Sequence, residues 1–312
     1  MRKALLLYNP HSGRRRRRRL ADVETVLAVL RAAGVEASAA ATQAASGTAD
    51  QVRQAIADGC DTMFACGGDG TIHDVLQGLV GTNVALGIIP LGTANSLAHD
   101  LGLPCTSTDA ARAALNANPR RIAVGRIEYT DFAGKPASRY FTVAVGIGVD
   151  AELFYKLNPT AKRHLGMAAY VAKATYLWMT HRMENFEVEV ADPASRVQVS
   201  QLLAVRIRDF GGVLRELAPG ASLERDDFRA VFFRTRSRIA YLRYVMRGIF
   251  GTQWTVPGIQ LAHCSSVTCK DPQVNAGARS RIFVEADGEL LGTLPASIAM
   301  VPDALTLLVP KR

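Results

Sequence analysis

Four short segments carry residue types suited to holding and moving phosphate. Gly67-Gly68-Asp69-Gly70-Thr71 sits between an apolar run and a helical pattern. Glycines let a backbone approach phosphate oxygens closely, and a helix starting there directs free N–H groups and a positive dipole end at them. Asn9-Pro10-His11-Ser12-Gly13 and Pro90-Leu91-Gly92-Thr93-Ala94-Asn95 also follow apolar runs, so their amide and hydroxyl donors would leave the same edge of a parallel sheet, where open α/β sheets bind ligands. The fourth segment, Asp287-Gly288-Glu289, sets two carboxylates about a turn far along the chain. An acidic pair facing a phosphate cradle suits phosphoryl transfer, because a carboxylate can accept a hydroxyl proton or hold a metal.

The elements that must position these segments follow from hydrophobic periodicity. Residues 4–8 read as a buried strand, and Leu20, Val23, Val26, Leu27 and Leu30 as the apolar stripe of a helix. A weak strand over 35–41, a helix near 48–58 ended by Gly59, and a strand over 62–66 lead into the glycine loop. Ile72, Val75, Leu76, Leu79 and Val80 then mark a helix, 84–89 a strand, and a short helix follows Asn95. That alternation predicts α/β architecture to about residue 120. From about Arg126 the texture turns to strands, at 140–145, 186–190, 201–208, 228–234 and 281–285, predicting a mostly antiparallel sandwich. Helical insertions fall near 161–179 and 239–250.

The 312 residues are 48% apolar and 21% charged, which excludes a disordered chain, and no apolar run reaches the ~20 residues of a membrane span. Five cysteines without a CxxC pair point to a reducing cytoplasm. The net charge of +9 admits nucleic acid, an anionic membrane surface or a phosphorylated small molecule as partners. The six arginines at 14–19 read either as a solvated run or as a contact for anionic lipid headgroups; no recognition fold or aromatic interleaving supports nucleic acid. The stretch 162–182 reads as an interfacial helix or as one packed on the sandwich. Local alternatives stand beside each site residue: Asp69 as a helix N-cap, Asp287 and Glu289 as an ordinary hairpin turn, Ser12 and Thr93 as turn formers. His11 and His73 read as loop or helix-surface residues, since nothing with metal-ligand spacing accompanies them.

Four stretches, Asn9 to Gly13, GGDGTIHDVLQG from Gly67, GIIPLGTANSLAHDLGLP from Gly87, and Asp287 to Glu289, resemble the diacylglycerol kinase catalytic-domain superfamily, which includes sphingosine and ceramide kinases. The likeness extends over essentially the whole chain. It implies an N-terminal nucleotide-binding α/β domain (1–125), a C-terminal β-sandwich lipid-substrate domain (126–300) and a final segment (301–312) packing back on the first. By the same resemblance ATP is held by Asn9, Pro10, His11, Ser12 and Gly13, by Thr42, by Gly67, Gly68, Asp69, Gly70, Thr71 and Asp74, and by Gly92, Thr93 and Asn95. Glu289 resembles the proton acceptor, with Asp287 beside it; Asp69 resembles the residue that organises the phosphates and their Mg2+, or the base as assigned in sphingosine kinases. The implied activity is ATP-dependent phosphorylation of a primary hydroxyl on a diacylglycerol-like lipid, at the inner face of the membrane, by a peripheral protein that could be a homodimer. A sphingoid base, ceramide or phosphatidylglycerol are alternative acceptors. An NAD kinase shares GGDGT but not the GTAN and DGE segments, and a nucleotide or lipid sensor without turnover is the remaining alternative.

Three departures from the family pattern stand at Ser96, at Asp74 and in the turn before Phe228. Ser96 stands where most bacterial relatives carry aspartate and resembles the small residue of the sphingoid and ceramide branch, and Asp74 stands where those relatives usually carry glutamate. Relatives hold a structural magnesium near an Asp-Asp-Gly turn, whereas this chain reads Leu223-Glu224-Arg225-Asp226-Asp227-Phe228. An ungapped match sets Arg225 on the liganding position, and a shifted one makes Asp226 the candidate ligand.

Overall fold

The computed structural model describes residues 1–10, 18–149, 183–191, 194–211, 216–250, 255–273 and 280–311. His11, Ser12, Gly13, the arginines at 14–17 and the helix expected at 161–179 lie outside the described residues.

The first lobe runs β1 (Lys3–Tyr8), α1 (Arg19–Ala32), β2 (Glu36–Ala41), α2 (Ala45–Ala57), β3 (Thr62–Gly67), α3 (Asp69–Leu79), β4 (Ala85–Pro90), α4 (Ser96–Asp100) and α5 (Ser107–Leu115). Its strands are parallel in the order β2-β1-β3-β4. Every residue of β3 and β4 is buried, which is why both read as unbroken apolar runs. Ile72, Val75, Leu76 and Leu79 of α3 pack with Leu7, Met63 and Leu86 on one face of the sheet; Val23, Val26 and Leu30 of α1 pack with Leu6, Phe64 and Ile89 on the other. Leu20, assigned above to the apolar stripe of α1, is instead 59% exposed.

The second lobe contains β5 (Asn118–Asp131), β6 (Pro136–Phe141), β7 (Ala144–Gly148), β8 (Phe186–Val190), β9 (Ser195–Val199), β10 (Gln201–Val205), β11 (Phe228–Phe233), α6 (Arg238–Phe250), β12 (Ile259–Cys264), β13 (Ser266–Lys270), β14 (Phe283–Ala286) and β15 (Glu289–Val309). One antiparallel run is β12-β11-β10-β7-β14-β15, and β5, β6, β13, β8 and β9 branch from β15. Together they enclose a core with Phe141, Phe186, Phe228, Phe232, Val284 and Ile298. β15 spans 21 residues: it pairs with β14 and β5, and ends with Thr306 and Leu307 parallel to Ala85 and Leu86 of β4.

The single strand expected over 140–145 is two strands. β6 ends at Phe141 and β7 starts at Ala144, because the amides of Thr142, Val143 and Ala144 turn toward the carboxylate of Asp287 (2.9, 2.9 and 3.1 Å) as the chain passes from β5 to β10 and β14.

Candidate active site

Parallel register puts the chemistry-bearing segments on one edge. Tyr8 lies opposite Cys66, and Gly67 opposite Pro90, so the residues after β1, β3 and β4 emerge together. The amides of Leu91 and Gly92 both donate to Gly67 O (2.9 and 3.1 Å), tying the two glycine loops. The loops touch so closely that a Cβ on Gly92 would collide with the Cα of Gly68. Asn95 adopts a left-handed backbone (φ 54°), which asparagine tolerates, and its side chain is spent on its own loop: Oδ1 accepts from Gly92 N (2.9 Å) and Nδ2 donates to Gly92 O (3.3 Å). Gly92, Asn95 and the exposed Thr93 line a cavity of about 480 Å³. Thr42 donates its amide to Tyr8 O (2.9 Å), which sets it beside Asn9 and Pro10 at the same edge.

Arg19 opens α1 but is 2% exposed and donates to Leu91 O (2.7 Å). One member of the arginine run is therefore neither solvated nor aimed at a surface; it pins the loop after β4.

α3 starts at the glycine loop with Gly68 as an extended N-cap, so Asp69 is the first helical residue rather than the cap. Its carboxylate reaches the first turn of α4, where Leu97 N lies 3.4 Å from Oδ1. Burial pushes the Asp69 carboxyl above its usual range; the Ser96 and Leu97 amides oppose this and the Asp287 charge adds to it. The Thr71 hydroxyl is buried against Gly67 with no hydrogen-bond partner. Burial also raises the Asp74 carboxyl, opposed by His73 and Arg139.

The sandwich closes the site through the β14–β15 turn. Asp287 and Gly288 form a two-residue hairpin loop with φ of 49° and 81°, the combination for which Asp-Gly is favoured. Asp287 is buried: three backbone amides hold its carboxylate, and His73 Nδ1 stands 3.5 Å from Oδ2. Glu289 behaves differently. It keeps part of its surface in solvent while its carboxylate stands over the glycine loop, where a Cβ built on Gly70 would lie 2.8 Å from Oε1. Its pKa is raised, chiefly by loss of hydration, with His73 opposing and Asp74 adding.

Asp69, Gly70, Asp74, Asp287 and Glu289 thus come together where the start of α3 faces the β14–β15 turn, while Asn9, Pro10, Thr42, Gly92, Thr93 and Asn95 follow the strands along the sheet edge of the first lobe. Asp226 lies elsewhere, exposed in the turn before β11. Beside it Arg225 binds Asp227 through two nitrogens (2.7 and 2.5 Å), and no cluster of three or more potential metal ligands occurs among the described residues. The same turn is held from inside by Arg206, fully buried, which donates to the carbonyls of Arg225, Asp227 and Ala123 (each 2.6 Å). Burial brings the pKa of Arg206 down to about 10.

Two polar residues of α3 escaped the sequence reading. His73, expected on a surface, is 3% exposed between α3 and Asp287. Gln77, one turn later, clamps the lobes: Nε2 donates to Tyr140 O and Oε1 accepts from Tyr140 N, both at 2.9 Å. Their i,i+4 spacing opposite the apolar stripe is the signal, a polar seam facing a second layer.

Comparison with known proteins matches residues 3–127 to the diacylglycerol kinase catalytic domain and residues 143–309 to the YegS C-terminal NAD kinase beta sandwich-like domain. The chain is 28% identical over 315 residues to a diacylglycerol kinase of Bacillus subtilis (strain 168), covering 100% of this chain and 98% of that one. It is 30% identical over 261 residues to a diacylglycerol kinase of Mycobacterium tuberculosis (strain ATCC 25618 / H37Rv), covering 83% and 80%. The fold is shared with a crystal structure of a diacylglycerol kinase from Bacillus anthracis str. Sterne (TM-score 0.70, 18% identity, 98% and 96% covered). It is shared more distantly with yeast NADH kinase complexed with NADH (TM-score 0.54, 12% identity, 100% and 84% covered).

Proposed function

We propose, from the premise that this chain belongs to the diacylglycerol kinase catalytic-domain family of lipid kinases, that it transfers the γ-phosphoryl group of ATP to the primary hydroxyl of a diacylglycerol-like lipid. The observation that carries this reading is the approach of Glu289 Oε1 to Gly70, an acidic side chain from the sandwich standing over a phosphate-type glycine loop.

In this reading the glycine loops and the first amides of α3 cradle the triphosphate. The lipid presents its hydroxyl beside Glu289; the oxygen bonds to the γ-phosphorus, the bond to the β,γ-bridging oxygen breaks, and Glu289 takes the hydroxyl proton. Its raised pKa suits it to hold a proton in passing. Asp287 acts by fixing the turn, since its carboxylate is already bound by three amides. Magnesium entering with the nucleotide would neutralise phosphate charge, and the hard oxygen donors Asp69 and Asp74 fit that ion.

Incubation of the protein with γ-labelled ATP and a total lipid extract, followed by thin-layer separation, tests the reading. Label should move to the phosphatidate position. Ser96, at the start of the α4 turn that meets Asp69, favours a sphingoid base or ceramide as the second reading, which would label a different spot. ATP binding with no label in any chloroform-soluble product would overturn both.

A further inference from the structure

α6 has two apolar faces and only one is used. Its inner face, with Ala240, Tyr241 and Tyr244, is buried against Phe233 and neighbours in a separate core. At about 100° per residue, Ile239, Leu242, Val245, Met246, Ile249 and Phe250 form a second stripe on the opposite side. Ile239 is 68%, Leu242 51%, Val245 40% and Phe250 64% exposed. Of the seven exposed large apolar side chains among the described residues, these are four, so this is a patch rather than scattered exposure.

Charge says what covers it. Between Asp227 and Asp271 the sequence has six arginines and one lysine and no carboxylate. Lys270 pairs with Glu189, but Arg234 and Arg236 bond to the neutral amides of Gln260 (3.5 Å) and Asn185 (2.9 Å), which leaves their charge uncompensated by those contacts. Exposed Arg243 borders the apolar stripe. Behind the helix, a cavity of about 440 Å³ is lined by Arg229 and Arg247 without a carboxylate, and Arg229 Nε is buried there with no hydrogen-bond partner. An apolar stripe rimmed by arginines fits the headgroup boundary of an anionic bilayer. A second copy of the chain fits less well, because a two-fold contact would set this basic face against itself.

We infer that α6 is the docking surface for an anionic lipid bilayer, its stripe entering the interface and its arginines meeting lipid phosphates. The surface rests on α6 and its surroundings alone; that it brings acceptor lipid to Glu289 rests on the kinase reading.

Co-sedimentation of the full chain with phosphatidylglycerol-containing vesicles, against pure phosphatidylcholine vesicles, tests the surface. The wild-type chain should bind the anionic vesicles, less tightly as salt rises. Leu242→Gln with Phe250→Gln should weaken binding at least about tenfold, and Arg243→Gln about fivefold on anionic vesicles only. Unchanged binding of the double variant would overturn the proposal. So would a dimer in ultracentrifugation that the double variant abolishes while wild type ignores vesicles, since the stripe would then join two copies. Label transfer to a short-chain acceptor in detergent micelles, intact in the double variant, keeps the two readings separate. Vesicle binding by a wild type that transfers no label would remove the kinase reading and leave the docking surface standing.

Discussion

Glu289 of the sandwich overhangs Gly70 of the glycine loop, close enough that a methyl group there would meet Oε1 at 2.8 Å. That oxygen is the free end of a flexible side chain, so Gly70→Ala should fold normally and push the carboxylate aside. Label transfer should fall about 10–100-fold, less than the ~10²–10⁴ that a general base supplies, because the carboxylate is displaced and not removed. Thermal melting should be unchanged or slightly higher, since alanine favours the helix. Full activity in Gly70→Ala would remove Glu289 from the base role.

Gly92→Ala poses the opposite case, because its added Cβ meets the Gly68 backbone, which cannot rotate away. The loops must part, at a cost of about 1–3 kcal/mol. Urea denaturation should show that loss, and the KM for ATP should rise.

Asp287 and Glu289 should separate cleanly when mutated. Asp287→Ala strands the amides of Thr142, Val143 and Ala144 and should cost about 3–5 kcal/mol in denaturant unfolding. Glu289→Gln should remove transfer and leave stability intact. Equal stability of the two variants would contradict this division of labour.

The raised carboxyl of Glu289 fixes the direction of a pH effect. A base must be ionised, so kcat/KM should fall as pH drops through a value above the ordinary 4.5. Asp74 contributes to that rise, so Asp74→Asn should move the acid limb to lower pH. For stability the sign reverses: a carboxyl whose folded pKa is raised favours the folded state fully below its unfolded pKa, and that contribution is lost as pH rises through the folded value. Neutralising Glu289 therefore should not lower stability at neutral pH, which melts of Glu289→Gln at two pH values would check.

Much of the first lobe was legible because β3 and β4 are buried on both faces and α3 on one, so their apolar runs carry the period directly. The sheet edge followed from that alternation. The second lobe was harder to read. Pro295 and Pro302 interrupt the pattern of β15, whose length is set by partners in four other strands rather than by its own propensity. The break between β6 and β7 depends on a carboxylate 143 to 145 positions away. His73 and Arg19 were misjudged for the same reason: what covers each comes from a distant chain segment, Asp287 standing 3.5 Å from His73 Nδ1 and Leu91 O accepting from Arg19. Asn95 was rightly placed at the edge, yet its side chain serves its own loop.

β15 begins at Glu289 and ends beside Ala85 and Leu86, a single ruler laid from one lobe to the other. Removing two residues between Glu289 and Thr306 would draw the carboxylate about 7 Å along the strand. The number of residues in that stretch, and not their identity alone, sets the gap between the acid and the glycine loop it overhangs.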